Sequence, residues 1–390
     1  MKNWLLGAYL RIGMHAAPPG TLLHQIHALL RRVYRHRMYR YATADPAMRG
    51  RYGATRLYDI ARLRRSRRVD GLALIFFMGA GDYLMATPLI RALRAAHPDL
   101  LLYAYASSHT DAVSSPLVIQ LLQTNPMIDR VIPYRGRPRG SWLDYDFSDA
   151  LASVPPAFVI LPVVYETTPA VYHRVTAVLE TFGLPVDFPI PVPITYATKL
   201  SPAAEAMAKT IRNRIEKTAP ERVVCCHFGA RSSGYEYPYA DRLVGYLLRQ
   251  GFLVVSFSPV DVENTQLVTI DVSTITPNDS IEILRGLKSE RPELAMISVN
   301  SITWPISAAL GIPNLGLHVF NDESVHQYLY PNLYLITNHV YPTVSPFRFF
   351  LVPDGAYQTR RSADRAIMFA DYKPEFVIDS FETMASLLAR

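Results

Sequence analysis

The sequence predicts an α/β protein in two halves, each a parallel sheet covered by helices, and three observations predict it. Apolar runs such as Leu72–Met78 and Val223–Cys226 lack the alternation of a one-sided strand and suit strands buried on both faces. From residue 71 onward strand-like and helix-like segments alternate, the pattern of βαβ layers. Between the two sets, Pro185, Pro189, Pro191 and Pro193 crowd into a stiff linker, so a cleft is expected between the halves. A chain of 390 residues with a 49% hydrophobic share is long and apolar enough to bury two cores.

The elements follow in order. Strands are expected at Leu72–Met78, Leu101–Ala106, Arg130–Pro133 and Phe158–Val164, with helices at Tyr83–Ala96, Pro116–Gln123 and Val171–Phe182. Pro98 and Gly183 end the first and last of these helices. Past the linker, strands are expected at Arg222–His227, Phe252–Phe257, Leu294–Val299 and Asn314–Val319. Helices are expected near Pro202–Glu216, Tyr239–Gln250, Ser280–Leu287 and Pro305–Leu310. The domain boundaries expected are 1–70 for a basic helical arm, 71–190 and 191–370 for the halves, and 371–390 for a last helix, Glu375–Ala389, packing back on the first half.

Charge separates the arm from the body. Residues 1–70 hold fifteen Lys and Arg against three Asp, whereas the rest of the chain is mildly acidic. Leu22, Ile26, Leu29 and Val33 recur at helical spacing with Arg31, Arg32, Arg35 and Arg37 interleaved. Such a helix suits an anionic membrane surface, and equally suits packing of its apolar stripe on the body. No nucleic-acid recognition motif accompanies the charge, so nucleic acid is not an expected partner. No segment reaches the length of a membrane span, and the start of the chain lacks a secretory cleavage pattern. Cys225 and Cys226, the only cysteines, are neighbours in a strand and point to opposite faces, which gives neither a disulfide framework nor a zinc site. A cytoplasmic protein, peripheral to the inner membrane face if the arm binds lipid, is the expectation.

Three segments carry candidate chemistry. In the first, the Leu72 strand opens into Gly79-Ala-Gly81-Asp82 and then a helix, which puts the turn at the carboxyl edge of a sheet. Gly79 and Gly81 there suit close approach of a ligand. Asp82 is a candidate general base, and its competing reading is a helix N-cap. In the second, the Arg222 strand opens into His227-Phe-Gly229-Ala-Arg231. Backbone N–H groups at Gly229, with Arg231 and His227, suit a diphosphate, although a loop arginine is more often a solvated charge. In the third, the Leu294 strand ends at Asn300-Ser301, and a helix carrying Thr303 and Pro305 closes at Gly311. That places the Ser301 and Thr303 hydroxyls at a helix start on the same edge, where capping also accounts for them.

Taken in order, these segments resemble the heptosyltransferase-like glycosyltransferases of family 9. The resemblance rests on Gly81-Asp82-Tyr-Leu-Met-Ala-Thr87-Pro88, on the His227-Phe-Gly229-Ala loop, and on Asn300-Ser301 running into Ala308-Ala-Leu-Gly311-Ile-Pro313. It covers roughly residues 71–320 and implies the GT-B fold, two Rossmann-like domains facing a cleft. It further implies an inverting, metal-independent transfer from a nucleotide-sugar, which is a substrate and not a cofactor, to a glycan or lipid-linked acceptor. Asp82 would then be the catalytic base on the acceptor side, beside Gly79 and Gly81. His227, Gly229, Arg231, Asn300, Ser301 and Thr303 would bind the nucleotide-sugar. The chain departs from the family pattern at Asn300, usually acidic, at Ile302, usually glycine, and at Pro305, often histidine; the usual lysine before the Trp-Pro pair is also replaced, in Tyr235-Glu-Tyr-Pro238. These departures open a second reading, a sugar-binding or scaffold relative without turnover. A nucleotide-sugar epimerase or dehydrogenase is disfavoured because Leu84 stands where a dinucleotide-binding turn needs its third glycine.

Overall fold

The computed structural model describes residues 60, 64–65, 68–76, 79–107, 115–134, 148–163, 192–229, 236–318, 330, 332–337, 349–351 and 372–388. Strands β1 (Gly71–Phe76), β2 (Leu101–Ser107), β3 (Arg130–Tyr134) and β4 (Phe158–Pro162) form a four-stranded sheet in the order β3-β2-β1-β4. Every residue of β1 is buried, because it lies between β2 and β4, and that is why its sequence does not alternate. Helices α1 (Ala80–Ala96), α2 (Ser115–Gln123) and α3 (Ser148–Ser153) accompany this sheet.

The second sheet has seven strands: β5 (Arg222–His227), β6 (Phe252–Ser256), β7 (Leu267–Thr269), β8 (Ala295–Val299), β9 (Asn314–Leu317), β10 (Leu333–Thr337) and β11 (Phe349–Leu351). Their order is β11-β10-β9-β8-β5-β6-β7, and all pairings in both sheets are parallel. Helices α4 (Pro202–Thr218), α5 (Ala240–Arg249), α6 (Pro277–Glu290), α7 (Thr303–Leu310) and α8 (Pro374–Leu388) complete this half. Cys225 and Cys226 fall into separate apolar clusters on opposite faces of the sheet, and burial pushes the Cys225 thiol up to about 12. β7, β10 and β11 were not expected; β7 and β11 have three residues each, and so short a run shows no period.

α1 runs straight through Pro88, which lacks the N–H that Leu84 O would otherwise accept. Thr87 Oγ1 donates to Leu84 O at 2.6 Å instead, and accepts from Ile194 N at 2.7 Å, so the Thr-Pro pair repairs the helix and pins the segment entering the second half.

Two expectations are corrected. α8 packs on the second half, not the first: Val377, Ile378, Phe381 and Met384 join the cluster of Val224, Cys226 and Leu315, and Arg222 reaches Glu382 at 2.8 Å. Nor does the first half begin at residue 71. Ile60 and Val69 are in its core and Arg64 ion-pairs with Asp99, so the end of the basic segment is part of the body. The remainder of the arm, the Val171–Phe182 helix and most of the proline-rich linker lie outside the described residues. The two halves share one continuous apolar cluster, with α1 against α7 and α2 against α6.

Candidate functional site

The carboxyl edges of the two sheets meet at the starts of α1 and α7. Gly81, the second residue of α1, faces α7 so closely that an added Cβ would lie 3.6 Å from Ile302 Cα and 3.9 Å from Pro305 Cγ. Gly81 is therefore turned toward the other half. Gly79 has φ −70° and ψ 167°, ordinary extended backbone, so neither glycine is needed for an unusual conformation. Asp82 is not the N-cap. Gly79 holds that position, and Asp82 lies in the first turn with Oδ2 accepting from Gly79 N at 3.1 Å. This fold-back fixes the carboxylate at the helix start, where the helix dipole favours negative charge.

On the opposite side, His227 ends β5 next to Ser298 of β8. Ser301 Oγ lies 3.2 Å from His227 Nδ1 and 2.7 Å from Thr303 Oγ1, and accepts from Thr303 N at 3.3 Å. One oxygen thus gathers the imidazole and the second hydroxyl, whereas the capping role is not taken up: the N-cap of α7 is Ile302, and no side chain caps the helix. Desolvation lowers the His227 pKa to about 4, so at neutral pH the imidazole is an uncharged partner of Ser301 and not a cation. Asn300 stands at the end of β8 beside this cluster, while Arg231 lies outside the described residues.

The loop after β5 differs from expectation in its amides. Phe228 N and Gly229 N both donate to Ser258 Oγ at 2.8 Å, so these N–H groups already have a partner within the chain. A Cβ at Gly229 would lie 3.3 Å from that hydroxyl, a tight contact to which Ser258 would have to yield by a few tenths of an ångström. Ser258 was missed from sequence; its signal was a serine two residues past a buried strand, at the edge where the loops gather. Among the described residues no three His, Cys, Asp or Glu side chains come together as a metal site, and no helix is long and apolar enough to cross a membrane.

Two parallel α/β halves that meet at the carboxyl edges of their sheets constitute the GT-B architecture. Within that class the chain resembles glycosyltransferase family 9. It is similar to the glycosyl transferase family 9 protein from Veillonella parvula, at 12% identity and a TM-score of 0.53, over 81% of this chain and 97% of that one. An ADP-heptose lps heptosyltransferase II of E. coli aligns at 12% identity and a TM-score of 0.49 over 82% and 100% of the two chains. The iron-containing dodecameric glycosyltransferase TibC of enterotoxigenic E. coli aligns at 14% identity and a TM-score of 0.47 over 83% and 78%. The Veillonella structure carries the fold alone, since at that identity the likeness is one of fold. No protein-family model and no curated protein sequence matches the chain.

Proposed function

We propose that this protein is an inverting glycosyltransferase that moves a sugar from a nucleotide-sugar to a glycan or lipid-linked acceptor. The observation that supports it is the contact of Gly81 with Ile302, which brings the Asp82 turn of one sheet to the Ser301–Thr303–His227 cluster of the other. Asp82 removes the proton of the acceptor hydroxyl as its oxygen attacks the anomeric carbon, and the bond from that carbon to the nucleoside diphosphate breaks. Neutral His227 and the two hydroxyls offer hydrogen bonds to the departing group. The positive charge that stabilises it falls to Arg231 and to the α7 helix start.

A thermal-shift panel of UDP, GDP, ADP, CMP and dTDP sugars tests the reading, because a ligand of the native state raises apparent stability. At least one donor is expected to raise the melting temperature and to be turned over. Asp82→Asn is expected to lower turnover by about 10²–10⁴-fold while leaving that shift intact. A donor that binds without turnover in the wild type would support the scaffold reading, and no shift with any donor would overturn both.

The basic arm is proposed to hold the enzyme on an anionic membrane, near a lipid-linked acceptor. A variant lacking residues 1–50, which keeps Ile60 and Arg64 in the body, should then lose binding to phosphatidylglycerol vesicles. Wild-type binding should also fall as salt rises. Equal binding with and without the arm would exclude it as the anchor.

A further inference from the structure

We propose that Trp304, seated over Gly316, is the positioning residue that sets the geometry of the His227–Ser301–Thr303 cluster. Trp304 follows Thr303 directly, is 1% exposed, and donates from Nε1 to Ser298 O at 3.4 Å. Gly316 is the register partner of Ser298 on the neighbouring strand. A Cβ on Gly316 would lie 2.8 Å from Trp304 Cζ2, 3.0 Å from Cε2 and 2.8 Å from Leu335 Cδ2, closer than real contacts allow. The rigid indole, with the flexible tip of Leu335 beside it, therefore occupies the space that any side chain at 316 would take.

A polar chain closes the same socket. Ser298 Oγ donates to Asn314 Oδ1 at 3.0 Å, Asn314 Nδ2 donates to Ser307 Oγ at 3.0 Å, and Ser307 Oγ donates to Trp304 O at 2.8 Å. Ser298, Asn314, Ser307 and Trp304 are all buried, and a buried chain whose members satisfy one another favours one arrangement over its neighbours. The N-cap residue of α7, Ile302, provides no capping side chain, so the first turn takes its position largely from this socket. Ser301 lies just ahead of that turn, and its 3.2 Å contact to His227 would be broken by a shift of a few tenths of an ångström.

The link to nucleotide binding rests on the proposed function; the link to His227 does not. The test compares Gly316→Ala, Trp304→Leu and the double variant in the full chain by two measurements. One is the NMR signals of the His227 imidazole, assigned by their loss in His227→Gln. The other is the affinity for whichever nucleoside diphosphate of UDP, ADP and GDP stabilises the wild type. Each single variant should move the imidazole signals and weaken binding about tenfold, and the double variant should recover most of both because the smaller side chain makes room for the added methyl. Met384→Ala on α8, which opens a cavity in the apolar cluster that does not contain Trp304, should lower the melting temperature without moving those signals.

Unmoved His227 signals in both single variants, equal movement in Met384→Ala, or no recovery in the double variant would each overturn the proposal. Should Gly316→Ala fail to fold, Trp304→Leu and the double variant still decide it. If no nucleoside diphosphate binds the wild type, the site reading falls while the imidazole signals still decide the positioning claim.

Discussion

The two halves touch along two lines of opposite character. Where α1 meets α7, the contact is apolar, with Gly81 against Ile302 and Pro305. Where the chain enters the second half, it is a polar clasp: Ile194 N donates to Thr87 Oγ1 at 2.7 Å, Asn278 Nδ2 donates to Gln120 O at 3.2 Å, and Thr124 Oγ1 donates to Asn278 Oδ1 at 3.3 Å. Directional bonds fix one relative position, whereas close-packed apolar surfaces slide or part at lower cost. The candidate chemistry lies on the apolar line and the fixed joint lies away from it.

The largest effect is expected just behind the clasp, at the start of the helix α6 that carries Asn278. Asp279 is 3% exposed and accepts from Ser201 N at 2.8 Å, Ser201 Oγ at 3.0 Å, Thr276 N at 2.9 Å and Thr276 Oγ1 at 2.8 Å, so one carboxylate holds the starts of both α4 and α6. Desolvation pushes its pKa up, but the bonds from Ser201 and Thr276 outweigh it and the net shift is downward. Asp279→Ala should cost about 3 kcal/mol in urea denaturation. A loss below about 1 kcal/mol would show that this carboxylate is not what anchors the second-half side of the clasp.

The site side should respond to acid first. The His227 pKa lies near 4 in the folded chain against an ordinary 6.5. Between those values the unfolded chain takes up a proton that the folded chain refuses, so stability falls as pH drops from about 6.5 to 4 and this contribution then levels off. Allowing for the partial exposure of the residue, the loss should be about 2–3 kcal/mol, and His227→Gln should remove it. The depressed Asp279 pKa acts in the same direction in a lower window: its stabilisation is present above the ordinary 3.8 and is lost as pH falls from there through the lower folded value. Unfolding curves of His227→Gln that keep the wild-type slope between pH 6.5 and 4 would sink the assignment.

This contrast also marks what could be read from the sequence. The buried runs of β1 and β5 announced central strands, because burial on both faces erases alternation. Strand–turn–helix order placed Asp82 at the carboxyl edge of the first sheet and His227 and Ser301 at that of the second. What sequence order does not carry is contact between distant segments. That Ser258 would take the amides of Phe228 and Gly229, that Asp279 would cap two helices, and that α8 would cover β9 and β10 are facts of packing across many residues. Thr87-Pro88 was legible as a motif, but its role needed Ile194, which lies 107 residues away.

The smallest effect is expected at the apolar line itself. In Gly81→Ala the new methyl would sit 3.6 Å from Ile302 Cα and 3.9 Å from Pro305 Cγ, ordinary contact distances that require no movement. The second position of α1 has helical geometry, where alanine is favoured over glycine by up to about 1 kcal/mol. Stability should therefore stay within about 0.5 kcal/mol of wild type or rise slightly, and affinity for a nucleoside diphosphate should hold, since no donor-side group is touched. Gly81→Leu, by contrast, has no room at these distances and should force the two helix starts apart. If Gly81→Ala alone costs more than about 2 kcal/mol, the α1–α7 contact is as tightly specified as the clasp, and the difference between the two lines disappears.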